Sequence, residues 1–253
     1  MSPAISPAIT RVPVFLLLLW FVPFAAGAHS AVEPVQRDDP APKERQELLN
    51  QRVAGAGKAA QVIFIGDSIT QHWESDGKEV WAQYYARRDA LNLGLSGDRT
   101  QHVLWRLDNG NLDGLDPKVI VLMIGTNNIT EEATSVAHVA DGVAAIVKKL
   151  RDRLPRARVL LLAILPREEN PGPRRGNILQ VNQIIRRLAD EQHVFWLDFG
   201  YRFVASDGTI SRDVMHDYLH LTPQGYQIWA AAMEDELAVL LHDSHPGRAS
   251  GRE

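Results

Sequence analysis

The sequence predicts an α/β fold, a parallel sheet covered by helices on both faces, and three observations carry that expectation. Five short runs rich in Val, Ile and Leu recur along the chain: Val62-Ile63-Phe64-Ile65, Ala90-Leu91-Asn92-Leu93, Val119 to Ile124, Val159 to Ile164, and Val194 to Leu197. Amphipathic stretches over 78–87, 100–108, 132–153 and 176–192 separate them, and another over 223–241 follows the last. The first three runs end in glycine-bearing turns. A run that is apolar throughout must be buried on both faces, as in a parallel sheet between two helical layers. Right-handed crossovers then favour a three-layer α/β/α sandwich with a flavodoxin-like five-stranded sheet of order 2-1-3-4-5.

Composition narrows the function classes. The 253 residues hold 27 basic and 31 acidic side chains, 45% hydrophobic residues and no cysteine. That is the make-up of a globular chain with a core of normal size. Without cysteine there is no disulfide, thiolate nucleophile or Cys-ligated zinc. A formal net charge of −4 argues against a nucleic-acid partner, which would select a basic face.

The elements follow in order. Arg11 precedes the apolar run Val14 to Val22, and small residues from Ala25 to Ala28 follow, the layout of a secretory signal over residues 1–28. The run is shorter than the roughly 20 residues of a membrane span. The expectation is cleavage near Ala28 or Ser30, a secreted or periplasmic product, and no stable span once the signal is gone. Residues 29–43 hold three prolines without apolar periodicity and read as a linker. The globular domain is expected over 44–242, and 243–253 as a frayed tail.

In the expected sheet, strand one leads into Gly66-Asp67-Ser68, strand two into Asn92-Leu-Gly-Leu-Ser-Gly97-Asp98, and strand three into Gly125-Thr126-Asn127. Each has a plain reading. Asp67 or Ser68 would cap the next helix, Gly97 would serve a tight turn, and Asn127 would be a turn asparagine. Strand one lies between strands two and three, however, so a serine hydroxyl is flanked by a bare backbone N–H at Gly97 and a side-chain amide at Asn127. That is a nucleophile with an oxyanion hole.

A serine needs a base, and a histidine held by a carboxylate is the commonest one. Asp213-Val-Met-His216-Asp217-Tyr-Leu-His220 follows the last strand and contains Asp-x-x-His twice. Three strand spacings, roughly 14 Å, separate strand five from strand one, and the stretch from Phe199 to Leu221 can cross them. Thr222-Pro223 reads as an N-cap followed by proline at the first helical position, which sets His220 before a rigid helix and favours Asp217–His220 over Asp213–His216. A metal cluster at His216, Asp217 and His220 is the competing reading, and it lacks further ligands at an evident spacing. Gly55-Ala-Gly57-Lys58 lacks the spacing of a phosphate loop. Asn128-Ile-Thr130 matches a glycosylation sequon, a pattern common by chance. The tryptophans, Trp105 among them, read as core or pocket wall.

Together these blocks resemble the SGNH (GDSL) hydrolase family: Gly66-Asp67-Ser68, Gly97, Gly125-x-Asn127 and Asp217-x-x-His220 occur in its order. Residues 92–107, 117–128, Leu165-Pro166-Arg167 and His220-Leu-Thr are similar to the catalytic α subunits of platelet-activating factor acetylhydrolase type IB. The resemblance implies a cofactor-free, metal-free ester hydrolase with Ser68 as nucleophile and Asp217 and His220 completing the triad. It also implies an oxyanion hole of the Ser68 and Gly97 N–H groups with Asn127. Those animal subunits are cytosolic and this chain begins with an export signal, so their phospholipid and partner protein do not transfer.

The reading that follows is an exported esterase that removes a short acyl group, acetyl first, from a glycan or small ester. Ile69, Thr126 and Leu219, each adjacent to a motif residue, would wall the acyl pocket. Rival readings are a lysophospholipase or thioesterase, a glycan O-acyltransferase, and a non-catalytic carbohydrate-binding protein on the same scaffold. A homodimer is compatible with the sequence.

Overall fold

The computed structural model describes residues 29–129 and 135–242. The expected signal over 1–28 and tail over 243–253 lie outside the described residues. Strands β1 (Val62–Gly66), β2 (Ala90–Gly94), β3 (Val119–Met123), β4 (Arg158–Leu162) and β5 (Val194–Leu197) form one parallel sheet of order β2-β1-β3-β4-β5. The helices are α1 (Pro40–Ala56), α2 (Ser68–Gln71), α3 (Lys78–Tyr84), α4 (Thr100–Asp108), α5 (Val136–Arg153), α6 (Pro173–Ile185) and α7 (Pro223–Leu241).

The two-residue period of the strands divides the core. Ile63 and Ile65 of β1, Ile120 and Leu122 of β3, and Val159 and Leu161 of β4 pack into one cluster with Leu49, Val53, Val103, Ile146 and Val181 from α1, α4, α5 and α6. Their neighbours Val62, Phe64, Val119, Val121, Leu160 and Leu162 pack on the opposite face with Trp73, Val80, Trp229 and Met233. Alternating side chains thus serve two different layers, which is why these runs show no polar face.

The sheet keeps the order expected from the sequence, whereas the N-terminal stretch differs. Within the supposed linker a helix already begins at Pro40, where proline costs nothing because the first helical N–H has no intrahelical partner. The preceding residues lie along the body: Thr100 Oγ1 donates to the Ala31 carbonyl at 2.8 Å, and the Val35 N–H donates to the Gln101 carbonyl at 3.2 Å. Helix α1 buries only Gln46, Leu49 and Val53, too few to give an amphipathic signal. Polar contacts anchor it instead. Arg45 donates through Nε and Nη2 to the Gly94 carbonyl at 3.2 and 3.1 Å, and pairs with Glu74 at 2.6 Å.

Candidate active site

All three glycine-bearing turns lie at the carboxyl edge of the sheet. In register, Gly66 of β1 is opposite Gly94 of β2 and Met123 of β3, so the chains leave the sheet at one level. Asp67 caps α2, its Oδ1 accepting the Ile69 N–H at 3.0 Å, and Ser68 opens that helix with 7% of its surface exposed. The Gly97 backbone has φ +79°, in the region that glycine enters without strain, and its N–H meets no protein acceptor among the described residues. Asn127 donates from Nδ2 to the Asp98 carbonyl at 2.9 Å, which fixes the amide plane beside the Gly97 loop.

The long segment after β5 returns across the sheet edge as expected. It is pinned by the Glu168 N–H on the Tyr218 carbonyl at 2.8 Å and by an antiparallel bridge between Met215 and Leu221. Thr222 caps α7, and a Cβ at Gly225 would lie 2.3 Å from the Val214 carbonyl, so the helix start and the loop approach as closely as backbone allows. This support holds His220. Its Nε2 lies 3.0 Å from Ser68 Oγ and its Nδ1 lies 2.7 Å from Asp217 Oδ2.

Asp217 is held by more than its side-chain partner. Burial works to raise its carboxyl, but the His220 backbone N–H at 2.7 Å, the imidazole and the Leu219 N–H at 3.1 Å outweigh that and bring it down to about 2. An ionised Asp217 accepts from Nδ1–H, which leaves Nε2 with a lone pair facing the serine hydroxyl. His216 does not share this arrangement. It is exposed, 3.9 Å from Asp217 Oδ2, and no hydrogen bond joins it to the Asp213 carboxylate. Among the described residues, His216, Asp217 and His220 form the group whose side chains could hold a metal ion, yet the Asp217–His220 bond occupies two of the three donor atoms.

Three neighbours were not singled out from sequence. The His72 ring lies 5.0 Å from that of His220, and burial followed by the His220 charge lowers its pKa. Arg167, which sequence offered only within the resemblance, reaches Thr126 Oγ1 at 3.3 Å. Buried Arg106 donates through Nε to Asp98 Oδ2 at 2.6 Å and through Nη2 to the Gly66 carbonyl at 3.2 Å, tying the Gly97 loop to the strand end before Ser68. No local pattern flags that pair, because Asp98 lies in the loop before α4, eight residues from Arg106 and outside the i,i+3 and i,i+4 spacings of helical neighbours.

Of the expected acyl-pocket residues, Ile69 and Thr126 are each 2% exposed and border, with Asp67 and Ile164, an interstice with no room for a water molecule. Leu219 is half-buried and does not line it. At the sequon, the Asn128 amide donates to Thr100 Oγ1 and Gln101 Oε1, both at 3.1 Å. Thr130 lies outside the described residues.

Asp67 carries a prediction of its own. Burial raises its carboxyl from 3.8 to about 7, with nearby Asp98 adding and the Ile69 N–H and Arg167 opposing. The folded chain holds this proton more tightly than the unfolded chain. Its contribution to stability is therefore greatest below 3.8 and falls as pH rises towards about 7, by about 4 kcal/mol at most. Asp67→Asn keeps an oxygen for the Ile69 N–H and removes the titration. Urea unfolding at pH 5 and pH 8 should show a smaller pH-dependent loss in the variant than in wild type. Equal losses would mean that Asp67 does not titrate in this window.

The family model for GDSL-like lipases/acylhydrolases matches residues 64–228. The platelet-activating factor acetylhydrolase IB subunit alpha1 of Homo sapiens is 43% identical over 185 residues, covering 73% of this chain and 78% of that protein. The alpha2 subunit of Rattus norvegicus is 38% identical over 221 residues, covering 87% and 93%. Among solved structures, an acetylxylan esterase from Geobacillus stearothermophilus superposes with a TM-score of 0.58 at 16% identity, covering 76% of this chain and 99% of its own, a likeness of fold.

Proposed function

Because this chain belongs to the GDSL-like lipase/acylhydrolase family and is an ester hydrolase, we propose that it removes a short acyl group, acetyl first, from a glycan or small ester through Ser68, His220 and Asp217. The observation that carries this reading is the unbroken line of hydrogen bonds from Ser68 Oγ through the His220 ring to Asp217. Ser68 Oγ attacks the ester carbonyl while His220 Nε2 takes its proton. The Ser68 and Gly97 N–H groups and the Asn127 amide receive the developing oxyanion. Collapse expels the alcohol, which takes the proton from His220, and water then releases the acyl group by the same steps. Asp217 stays ionised and holds the imidazole in the tautomer the first step needs.

Acetyl is favoured by two independent supports. The relatives named above are an acetylhydrolase and an acetylxylan esterase, whose names differ in the alcohol and share the acetyl group. Ile69 and Thr126, next in sequence to Ser68 and Asn127, are both branched at Cβ and buried, so a longer chain directed towards them would meet side chains with little freedom to withdraw. Overpacking costs about 1 to 3 kcal/mol, roughly five- to a hundred-fold in rate. On p-nitrophenyl esters, kcat/KM should fall steeply from acetyl to butyryl to octanoyl, and Ile69→Ala should flatten the series. A preference for octanoyl would replace this reading with a lysophospholipase or thioesterase.

The export expectation belongs to the same reading. No helix among the described residues is long and apolar enough to cross a membrane. N-terminal sequencing of protein recovered from the secreted or periplasmic fraction tests it, with a new start near Ala28 or Ser30 expected.

A further inference from the structure

Two of the proposed oxyanion donors come from different strands, the Gly97 N–H from the loop after β2 and the Asn127 amide from the turn after β3, and they meet at one residue, Asp98. Its carbonyl accepts from Asn127 Nδ2 at 2.9 Å, which occupies one of the two amide hydrogens and leaves the second for an oxyanion. Its own N–H, the next along the chain from Gly97, donates to the Leu95 carbonyl at 3.1 Å and closes the turn that contains the glycine. Where Asp98 stands therefore decides where both donors point.

The Asp98 side chain is fully buried, and its carboxylate lies between two guanidinium groups. Arg106, 2% exposed, donates through Nε to Asp98 Oδ2 at 2.6 Å, through Nη1 to Asn111 Oδ1, and through Nη2 to the Gly66 carbonyl at 3.2 Å, so one planar fork is used in three directions. Gly66 is two residues before Ser68, and the fork thereby sets the oxyanion loop against the strand end that carries the nucleophile. On the outer side, half-buried Arg37 donates to the Ser96 carbonyl, stands 3.7 Å from Asp98 Oδ1, and lies against Gly97, its Nη1 3.0 Å from the place a Cβ would take. Burial works to raise the Asp98 carboxyl, and Arg106 and then Arg37 oppose it. A buried ion pair adds little stability over apolar side chains of the same volume, so what distinguishes this one is the geometry its directional bonds impose.

We propose that Asp98, clamped between Arg106 and Arg37, is the positioning residue of the oxyanion hole, holding the Gly97 N–H and the Asn127 amide at the spacing the tetrahedral intermediate needs. The inference rests on the mechanism proposed above, in which these groups receive the oxyanion, and it assigns no substrate contact to the three charged side chains.

The test compares p-nitrophenyl acetate with its thiono analogue, whose carbonyl oxygen is replaced by sulfur, a larger atom and weaker acceptor that a correctly spaced hole serves poorly. The readout is the ratio of kcat/KM for the oxygen ester to that for the thiono ester, each divided by its alkaline hydrolysis rate. In Arg106→Gln, kcat on the oxygen ester should fall about a hundredfold with KM within about threefold, the size of loss expected when reacting groups are misplaced by about 1 Å, and the ratio should drop about tenfold or more. Arg106→Lys keeps a charge beside Asp98 and gives up the fork, so its kcat and ratio should lie between those of wild type and Arg106→Gln. Arg37→Gln removes only the partly exposed arm and should lower the ratio about threefold, and it decides the matter if Arg106→Gln does not fold. An unchanged ratio in the folded variants, or a loss carried by KM alone, would overturn the proposal, because a general structural fault slows both esters alike. A wild-type ratio near one would overturn the mechanism beneath it as well.

Discussion

Ser68→Ala is expected to lose on the order of 10⁵- to 10⁶-fold in kcat on p-nitrophenyl acetate, and to lose labelling by a fluorophosphonate, while the protein stays folded. The loss is that large because removing the attacking oxygen leaves only the oxyanion donors and substrate binding. Stability should change little. The cap of α2 is provided by Asp67 rather than by Ser68, and the hydroxyl contributes one hydrogen bond to His220, about 1 kcal/mol. Alanine is itself the best helix former at that position. Unfolding midpoints measured beside the kinetics separate a lost nucleophile from a lost fold. Labelling that persists in Ser68→Ala would remove Ser68 from the mechanism.

His220→Ala and His216→Ala should differ by several orders of magnitude. His220 alone touches both Ser68 and Asp217, so its removal takes away the base and strands the carboxylate. His216 stacks beside it with ring centres 6.0 Å apart and makes no ring hydrogen bond, so its loss should cost only a few-fold. Steady-state rates for the two variants, with thermal unfolding as control, give the ranking. The reverse order would transfer the base to His216 and Asp213. Added zinc separates this from a metal-dependent reaction, which EDTA should abolish and zinc restore.

What could be read in advance follows a physical division. Strands buried on both faces must be apolar at every position, so Val62 to Ile65 and Val119 to Ile124 declare themselves. The turns after them carry small or polar residues that a sheet edge would not otherwise need, so Ser68, Gly97 and Asn127 could be grouped from strand order. Repetition of Asp-x-x-His left two histidines, and the loop geometry that distinguishes them depends on backbone contacts such as Glu168 with Tyr218. Helix α1 was illegible because it is anchored by arginine and amide contacts instead of an apolar stripe. The Asp98–Arg106 pair escaped because its partners meet only after α4 has been set against the sheet.

The anchoring of α1 has a practical consequence for where this protein can be cut. The span matched by the family model starts at residue 64, inside β1, and stops at residue 228, inside α7. A recombinant fragment drawn to those limits would lose Val62 and Ile63 of β1 and most of the last helix. Starting at residue 44 is safer for the sheet, yet it removes Arg37, whose guanidinium lies over Gly97 and donates to the Ser96 carbonyl, and it discards the first turn of α1. Leu49 and Val53 would then sit on a frayed helix above the β2 edge. A fragment that keeps Arg37 and the whole of α1 retains these contacts.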